Sequence, residues 1–295
     1  MTTITIKLTD KQINELKSRY SKYPIRYDIQ YTHFQIKGSD VTITAYTSGK
    51  VVFSGEGAEF HASSYTNEPL KPKSSVAPTQ KIEGSMAGSD EVGTGDYFGP
   101  ITVCACIVNE SDLQRIPVAE IVDSKQMTDD KIRKIAPILK KELQYSLLIL
   151  DNKKYNRVHD TMNMNVIKAK LHNQAFLNLK KRYEMPPYAI IDRFMAEKPY
   201  YNALKGEPEI FRGLIFETKA ENKFIAVACG AIIARFGFLD YLDKLSTKYD
   251  CIFPKGAGAH VDTFGKKFVE RYGKEELDNV AKVHFANTAR ILNDA

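Results

Sequence analysis

The sequence predicts an α/β protein in which a mixed β-sheet is flanked by helices and a small α+β domain precedes it. Two observations predict this architecture. In the larger part of the chain, strand-like segments first follow one another around a hairpin and then alternate with long helical segments. A stretch rich in Pro, Ser and Lys, NEPLKPKSSVAPTQ, separates this part from a shorter one. We therefore expect an N-terminal domain at 1–66, a linker at 67–81 and a larger domain at 82–295.

The N-terminal part reads as one helix with a curved antiparallel meander. TDKQINELKSRY begins with a good helix cap and places Ile13, Leu16 and Tyr20 at helical spacing. YTHFQIKG and DVTITAY alternate between apolar and polar residues, and TSGKVVFSG supplies a tight turn into a further strand.

An exposed face of this meander is expected to carry aromatic and basic residues. The candidates are Tyr31, Phe34, Lys37, Tyr46 and Lys50. We interpret Lys50 as a substrate contact, whereas each aromatic residue, taken singly, is better explained as part of the core.

The larger part predicts its elements in a clear order. A strand ends near Asp90, a glycine-rich hairpin loop follows, and ITVCACIV reads as a buried strand. A helix over 129–142, the strand YSLLIL, a helix over 163–183 and the strand YAIID come next. FRGLIFETKAENKFIAVACGAIIARFGFLDYL then supplies a strand and a long helix.

Composition indicates an ordinary globular protein and excludes few function classes. No apolar run approaches the roughly 20 residues of a membrane span, and the N-terminus lacks the pattern of a signal peptide. The four cysteines have no metal-ligand spacing and suit a reducing cytoplasm. Residues 1–80 hold ten Lys or Arg and seven Asp or Glu, which is half of the net charge of +6, so the balance weakly favours a polyanionic partner.

Four acidic residues stand out by their context. Asp192 ends the apolar run YAII, where a carboxylate is costly unless it is paired with a cation such as Arg193 or bound to a metal. Helical steps from Glu221 give an apolar stripe, so its carboxylate should lean toward the sheet from a first helical turn, where it could also serve the helix dipole.

Asp90 and Glu91 form the strongest pair, because two adjacent like charges on a strand end usually need a cation. Adjacent strand residues face opposite sides, so we expect a local distortion to bring Glu91 to the same centre. Oxygen ligands without histidine or cysteine suit magnesium or manganese. Carboxylate sites of this kind serve phosphodiester chemistry with two metal ions, which predicts a nucleic-acid hydrolysis site.

Six segments in order resemble ribonuclease HIII, a bacterial type 2 ribonuclease H with an extra N-terminal domain. They are GSDEVGTGDYFGP at 88–100, DSKQM at 123–127, NMNVIKAKLHNQA from 163, IIDRF at 190–194, TKAENKFIAVACGAIIAR from 218, and PKGAGAHVD at 254–262. The related type II enzymes carry GRG at the position of Gly93-Thr94-Gly95 and an aspartate in the segment matching 219–221, departures that favour the HIII type.

The resemblance implies an RNase H-like domain and an N-terminal domain similar to the TATA-box-binding protein. It implies Asp90, Glu91 and Asp192 as metal ligands with Glu221 as the fourth catalytic acid, and two Mg²⁺ or Mn²⁺ ions per site. The turn of Gly93, Thr94 and Gly95 would contact ribose 2′-hydroxyls, which distinguish RNA from DNA. Further substrate contacts are expected at Ser124, Lys125, Asn165, Lys168 and Lys255.

The predicted function is that of an endonuclease acting as a monomer on the RNA strand of RNA/DNA hybrids and leaving 5′-phosphate and 3′-hydroxyl ends. One alternative is an enzyme of the ribonuclease HII kind, which incises at single ribonucleotides in DNA. Another is a non-catalytic module that binds hybrids.

Overall fold

A computed structural model describes residues 3–55, 57–65, 84–122 and 127–293. The chain divides into two compact units, Met1–Ile82 and Glu83–Ala295. The predicted linker at 67–81 lies outside the described residues, so its prediction is not tested by the structure.

The N-terminal unit is a five-stranded antiparallel sheet with two helices. Its strands are ordered β1-β5-β4-β3-β2. In chain order the elements are β1 (Thr3–Lys7), α1 (Asp10–Arg19), β2 (Ile25–Arg26), β3 (Thr32–Lys37), β4 (Thr42–Tyr46), β5 (Lys50–Ser54) and α2 (Ala58–Ser63).

Helix α1 covers one face of this sheet, as its sequence pattern predicts. Thr9 caps the helix in a capping box with Gln12, and Ile13 and Leu16 are buried against the sheet. Phe34, which we expected on an exposed face, is only 2% exposed and belongs to this core. Placing Phe34 on the exposed face is therefore wrong, and the core interpretation is confirmed for it, because Phe34 and Ile36 share the inward side of β3.

The opposite face of the N-terminal sheet is polar and basic. Lys50 on β5 pairs directly with Lys7 on β1, and both side chains are exposed. Tyr46, which is 37% exposed, ends β4. Two cations side by side on an open sheet face suit a polyanionic surface better than a neutral one.

The C-terminal unit combines a five-stranded mixed sheet with helices. Strands β6, β9 and β10 run parallel to one another, whereas β6, β7 and β8 are antiparallel, in the order β10-β9-β6-β7-β8. The elements are β6 (Met86–Val92), β7 (Ile101–Val108), α3 (Val118–Val122), α4 (Asp129–Glu142), β8 (Gln144–Leu150), α5 (Asn152–His159), α6 (Met164–Arg182), β9 (Tyr188–Asp192), α7 (Glu197–Ala203), β10 (Leu214–Glu217), α8 (Ile225–Lys248), α9 (Ala259–Tyr272), α10 (Leu277–Val280) and α11 (Ala286–Leu292).

The central strand β6 alternates its side chains between two helical layers. Ala87 packs in the apolar cluster that includes Phe176 of α6. Gly88 faces α8, where an added Cβ would lie 2.4 Å from the backbone nitrogen of Val227. A glycine is needed at 88 because the helix backbone approaches the strand this closely. The same alternation places Asp90 on the side of α8 and Glu91 on the side of α6.

Helix α8 is the one helix in the described part of the chain that is long and apolar enough to cross a membrane by length and composition. The sequence-based expectation that no segment approaches that length is therefore wrong by this measure. Its most apolar window is 67% buried within the protein, as in the core helix of a globular domain, so it is weak evidence for a membrane span.

Candidate active site

Acidic residues from three adjacent strands meet at one edge of the C-terminal sheet. Strands β6 and β9 run parallel with Ser89 opposite Ile191, so the next residues, Asp90 and Asp192, lie side by side where the pairing of these two strands ends. On the next strand Glu217 is paired with Asp192. Ligand sites in such sheets lie outside the carboxyl ends of the parallel strands, which is where these acids are.

Asp90 lies where the charges of the predicted acids converge. One of its oxygens, Oδ1, accepts a hydrogen bond of 2.8 Å from the backbone nitrogen of Glu91. Burial, followed by the negative charges of Glu91, Asp192 and Glu221, raises the pKa of Asp90 well above its usual value. The structure therefore brings the four predicted acids within electrostatic reach of one another, and among the described residues no cationic side chain is bonded to Asp90.

Glu91 is held from the opposite face of the sheet. Pairing between β6 and β7 continues without interruption through Glu91 and Val92, so the distortion expected at Glu91 is wrong. Its Oε1 accepts from Nζ of Lys168 and its Oε2 contacts Nε2 of His172, both at 2.8 Å. Burial alone would raise the pKa of Glu91, but these two partners lower it to about 2.

The support for Glu91 extends one layer further. His172 is fully buried, and its Nδ1 lies 2.8 Å from Oγ of Ser89. The ammonium of Lys168 lies 4.0 Å from the ring centroid of Phe194, on which the His172 ring also stacks. The sequence analysis missed His172, although its position four residues after Lys168 puts both on one face of a helix.

A tight turn after β10 positions Asp192 and Glu221. Oδ1 of Asp192 accepts a 2.9 Å hydrogen bond from the backbone nitrogen of Ala220 instead of forming the considered side-chain pair with Arg193. Lys219 adopts a left-handed conformation with φ 54°, which turns the chain into the 3-10 segment Ala220–Asn222. Glu221 lies in this segment, before α8 begins at Ile225, so its expected place in the first turn of the long helix is wrong.

Glu217 is a buried acid that the sequence analysis did not single out. Its Oε1 accepts from Nζ of Lys223 at 2.6 Å and from the backbone nitrogen of Thr218 at 3.0 Å. The carboxylate of Glu217 thus ties together both ends of the turn that carries Glu221. We interpret Glu217 as a support for that turn, because the two groups that donate to it, Thr218 and Lys223, flank Glu221 in sequence.

The glycine turn after β6 has two kinds of glycine. Gly93 has φ 94°, and an added Cβ would lie 2.2 Å from the carbonyl oxygen of Pro100, so the protein itself requires glycine there. An added Cβ on Gly95 would meet nothing within 4 Å. Thr94 between them is half-buried and Gly95 is exposed. The open side of the turn therefore leaves room for a ligand to approach the backbone at Gly95.

The other predicted substrate residues occupy varied positions. Asn165 is exposed near the start of α6, whereas Lys168 is buried and paired with Glu91, so the two do not form one free surface. Lys255 is exposed and ion-paired with Asp129. Ser124 and Lys125 lie outside the described residues, and Lys50 belongs to the N-terminal unit.

A divalent cation fits the chemistry of this edge. Within the described ranges, no group of three or more His, Cys, Asp or Glu side chains is arranged to hold a metal ion. Both oxygens of Glu91 contact basic side chains, those of Lys168 and His172. The donors are nevertheless all oxygens, and the unbalanced negative charge around Asp90 is what Mg²⁺ or Mn²⁺ would offset.

Two family models match the chain. Residues 87–288 match Ribonuclease HII, and residues 3–77 match a domain of unknown function (DUF3378). The first covers the whole acidic edge and the glycine turn, and the second covers the N-terminal sheet.

Curated relatives match over nearly the full length of the chain. Ribonuclease HIII of Bacillus licheniformis is 40% identical over 97% of this chain and 96% of the relative. Ribonuclease HIII of Bacillus subtilis is 40% identical over 97% of this chain and 95% of the relative.

Solved structures agree with the sequence matches. Bst-RNase HIII, crystallised in complex with Mn²⁺, has 36% identity and a TM-score of 0.71, and the match covers 100% of this chain and 99% of that one. The ribonuclease H2 of Pyrococcus horikoshii, at 22% identity and a TM-score of 0.59 over 71% of this chain, shares the fold. On the strength of the full-length matches, the chain belongs to the ribonuclease HIII family.

Proposed function

We propose that the chain is an endonuclease that hydrolyses the RNA strand of RNA/DNA hybrids and leaves 5′-phosphate and 3′-hydroxyl ends. The observation that carries this proposal is the convergence of acidic charge on Asp90, beside a glycine turn whose backbone is open at Gly95. The names of the full-length relatives support the same activity.

We assign the metal-binding role to Asp90, Glu91 and Asp192, with Glu221 as the fourth catalytic acid. When bound, two Mg²⁺ or Mn²⁺ ions would activate the attacking water and stabilise the leaving oxygen. Bst-RNase HIII was crystallised in complex with Mn²⁺, which supports a divalent ion as the cofactor of this chain. Asp90 contributes a carboxylate whose charge the protein leaves unbalanced, and Asp192 is oriented by the nitrogen of Ala220.

Glu91 would contribute a permanent negative charge. Its partners, Lys168 and His172, keep it ionised and fix its side chain at the end of β6. A side chain that is already ordered loses little further entropy when a ligand binds. Lys168 therefore has an indirect role, in which it orients Glu91. This replaces the direct contact with a substrate phosphate that the sequence predicted.

Substrate recognition is assigned to the turn of Gly93, Thr94 and Gly95. Backbone groups at an open turn can reach a ribose 2′-hydroxyl, which DNA lacks. Exposed Asn165 and Lys255 lie on α6 and on the loop that contacts this turn, and they would meet the phosphate backbone together with Ser124 and Lys125.

We assign to the N-terminal unit a role in gripping the hybrid through its basic sheet face. Lys50→Glu should weaken binding and make the salt dependence of affinity shallower by about 0.9 per lost phosphate contact. Lys11→Glu is the matched control, because Lys11 is exposed on α1, which covers the other face of the sheet. Equal effects of the two variants would place the hybrid elsewhere.

A cleavage assay on four duplexes tests the proposed activity. We expect cleavage of a hybrid with a continuous RNA strand that stops with EDTA and returns with Mg²⁺ or Mn²⁺. Double-stranded DNA and double-stranded RNA should remain intact, and a DNA duplex holding one ribonucleotide should be cut far more slowly than the hybrid. Equal cleavage rates on the hybrid and on the duplex with one ribonucleotide would favour the ribonuclease HII kind of activity.

A further inference from the structure

Lys282 is a buried lysine that no part of the proposed mechanism uses. It follows α10, and its side chain is 0% exposed. Its Nζ donates to the carbonyl oxygen of Asp96 at 2.8 Å and to that of Gly99 at 2.6 Å. These two carbonyls belong to the part of the glycine loop that leads into β7, which begins at Ile101.

The position of this ammonium is costly. Within the described part of the chain, no carboxylate lies within 4 Å of Nζ of Lys282, so carbonyl dipoles are its close partners. Burial lowers the pKa of Lys282 to about 7, against the opposing charge of Asp96. A buried cation without a carboxylate partner lowers stability, and such costs are typically retained where the group supports function.

The backbone around Lys282 reinforces the same contact. Its own nitrogen donates to the carbonyl oxygen of Tyr97 at 2.8 Å, and the nitrogen of Gly99 donates to Val280 at 2.9 Å. Nδ2 of Asn152 provides a further donor to Gly99, at 2.8 Å. Segment 96–99 is thus bound along its length by groups that come from outside the sheet.

The other side of the loop is fixed by Asp96. Its carboxylate accepts a 2.5 Å hydrogen bond from the nitrogen of Gly256, and the nitrogen of Tyr97 donates to the carbonyl of Gly256 at 2.9 Å. Gly256 adjoins Lys255, a proposed phosphate contact. Lys282 therefore contacts segment 96–99 where this segment is bonded to the loop of Lys255, directly after the turn of Gly93 to Gly95.

We propose that Lys282 is a positioning residue for recognition of the RNA strand, which it serves by holding the carbonyls of Asp96 and Gly99 and thereby fixing the turn of Gly93 to Gly95. This inference rests on the proposed function of that turn. Lys282 does not touch the reacting groups, so its effect should fall on substrate affinity and not on the chemical step.

The test is Lys282→Met in the full chain, since methionine has a similar length and cannot donate. We expect KM for a hybrid to rise about tenfold, in line with loss of a charge-assisted hydrogen bond, with kcat within about threefold. Hydrogen exchange should accelerate in 93–99 while β7 and β8 keep their protection. Asn152→Ala, which removes the neutral donor to Gly99, should act in the same direction more weakly.

Leu139→Ala in α4 serves as the stability control, because Leu139 is fully buried and not among the groups bonded to the loop. It should lower the melting temperature without raising KM or loosening 93–99. Unchanged KM in the Lys282 and Asn152 variants would overturn the proposal, as would a rise in KM matched by Leu139→Ala. If the wild-type chain leaves the hybrid intact, the proposed function fails. In that case hydrogen exchange still tests the anchoring, because unchanged exchange of 93–99 in Lys282→Met would refute it.

Discussion

Asp90 and Glu91 are neighbours in sequence, yet the fold gives their carboxylates opposite environments. Asp90, on the α8 side, is surrounded by other acids that raise its pKa together with burial. Glu91, on the α6 side, is paired with Lys168 and His172, which lower its pKa to about 2 despite burial. In the part of the chain that the structure describes, Asp90 thus has no cationic partner, whereas Glu91 has two basic partners. Strand alternation lets two adjacent residues serve one site in different ways.

The largest expected effect concerns the Asp90 side of the strand end. Asp90→Asn or Asp192→Asn should reduce hybrid cleavage by about a thousandfold, because metal ions supply several kcal/mol and each 1.36 kcal/mol or so is tenfold in rate. The fold should persist, since asparagine has nearly the same shape. Asp240→Asn, at a half-buried acid of α8 that is paired with Lys244, is the control and should retain activity. Full activity in Asp90→Asn would refute the assignment.

The pattern of the sequence was sufficient to predict the five strands of the larger part and helices α4, α6 and α8, whereas it did not reveal α9. Helices α4 and α6 begin at Asp129 and Met164, within one residue of the starts predicted at 129 and 163. Apolar runs ending in acids mark the strand ends. These signals are local, so a single sequence can reveal them.

The partners of Glu91 could not be predicted in the same way. Lys168 and His172 are separated from Glu91 by 77 and 81 residues, and which polar groups meet in a core depends on how helix and sheet pack. The sequence also left open whether Phe34 faces inward, and it could not show that Glu221 precedes α8. Each depends on a strand register or a turn conformation that tertiary contacts decide.

The second prediction compares stability on the two sides of the strand. Glu91→Gln should lower the free energy of unfolding by about 3 to 5 kcal/mol, because it leaves the buried ammonium of Lys168 unpaired. Asp90→Asn should leave it unchanged or raise it, since the substitution removes repulsion among acids. Urea unfolding of both variants and wild type measures the difference. Equal destabilisation by both would mean that the two environments do not differ.

The third prediction uses acid. The pKa of Glu91 falls from 4.5 to about 2 on folding. The ionised carboxylate therefore adds to the free energy of unfolding above pH 4.5, and this stabilisation is lost as the pH falls to about 2. At about 1.36 kcal/mol per unit, this amounts to on the order of 3 kcal/mol. Asp90 acts in the opposite sense, because a raised pKa gives stability that is lost as the pH rises.

Unfolding of wild type and Glu91→Gln between pH 6 and pH 2 isolates the contribution of Glu91. The difference in the free energy of unfolding between wild type and Glu91→Gln should become smaller as the pH falls from 4.5 to about 2. A gap that stays constant would show that Glu91 is not held as an anion by its partners.

The smallest expected effect compares two neighbours in the adjoining turn. Gly93→Ala should destabilise the protein by more than about 1 kcal/mol, because φ is positive and Pro100 is close. Gly95→Ala should leave stability within about 0.5 kcal/mol but reduce hybrid cleavage. Thermal unfolding and initial rates for both variants separate the two roles. If Gly95→Ala cleaves the hybrid at the wild-type rate, the ligand does not approach the backbone at Gly95.

The most direct test of the account is the chemistry of the products. A hybrid labelled in both strands should be incubated with the wild-type chain and Mn²⁺, with an EDTA control, and the ends of each fragment determined. In-line attack by water held at the acidic edge predicts cuts in the RNA strand alone, with 5′-phosphate and 3′-hydroxyl ends, and none in EDTA. Fragments with 3′-phosphate or cyclic phosphate ends, cuts in the DNA strand, or cleavage in EDTA would contradict it.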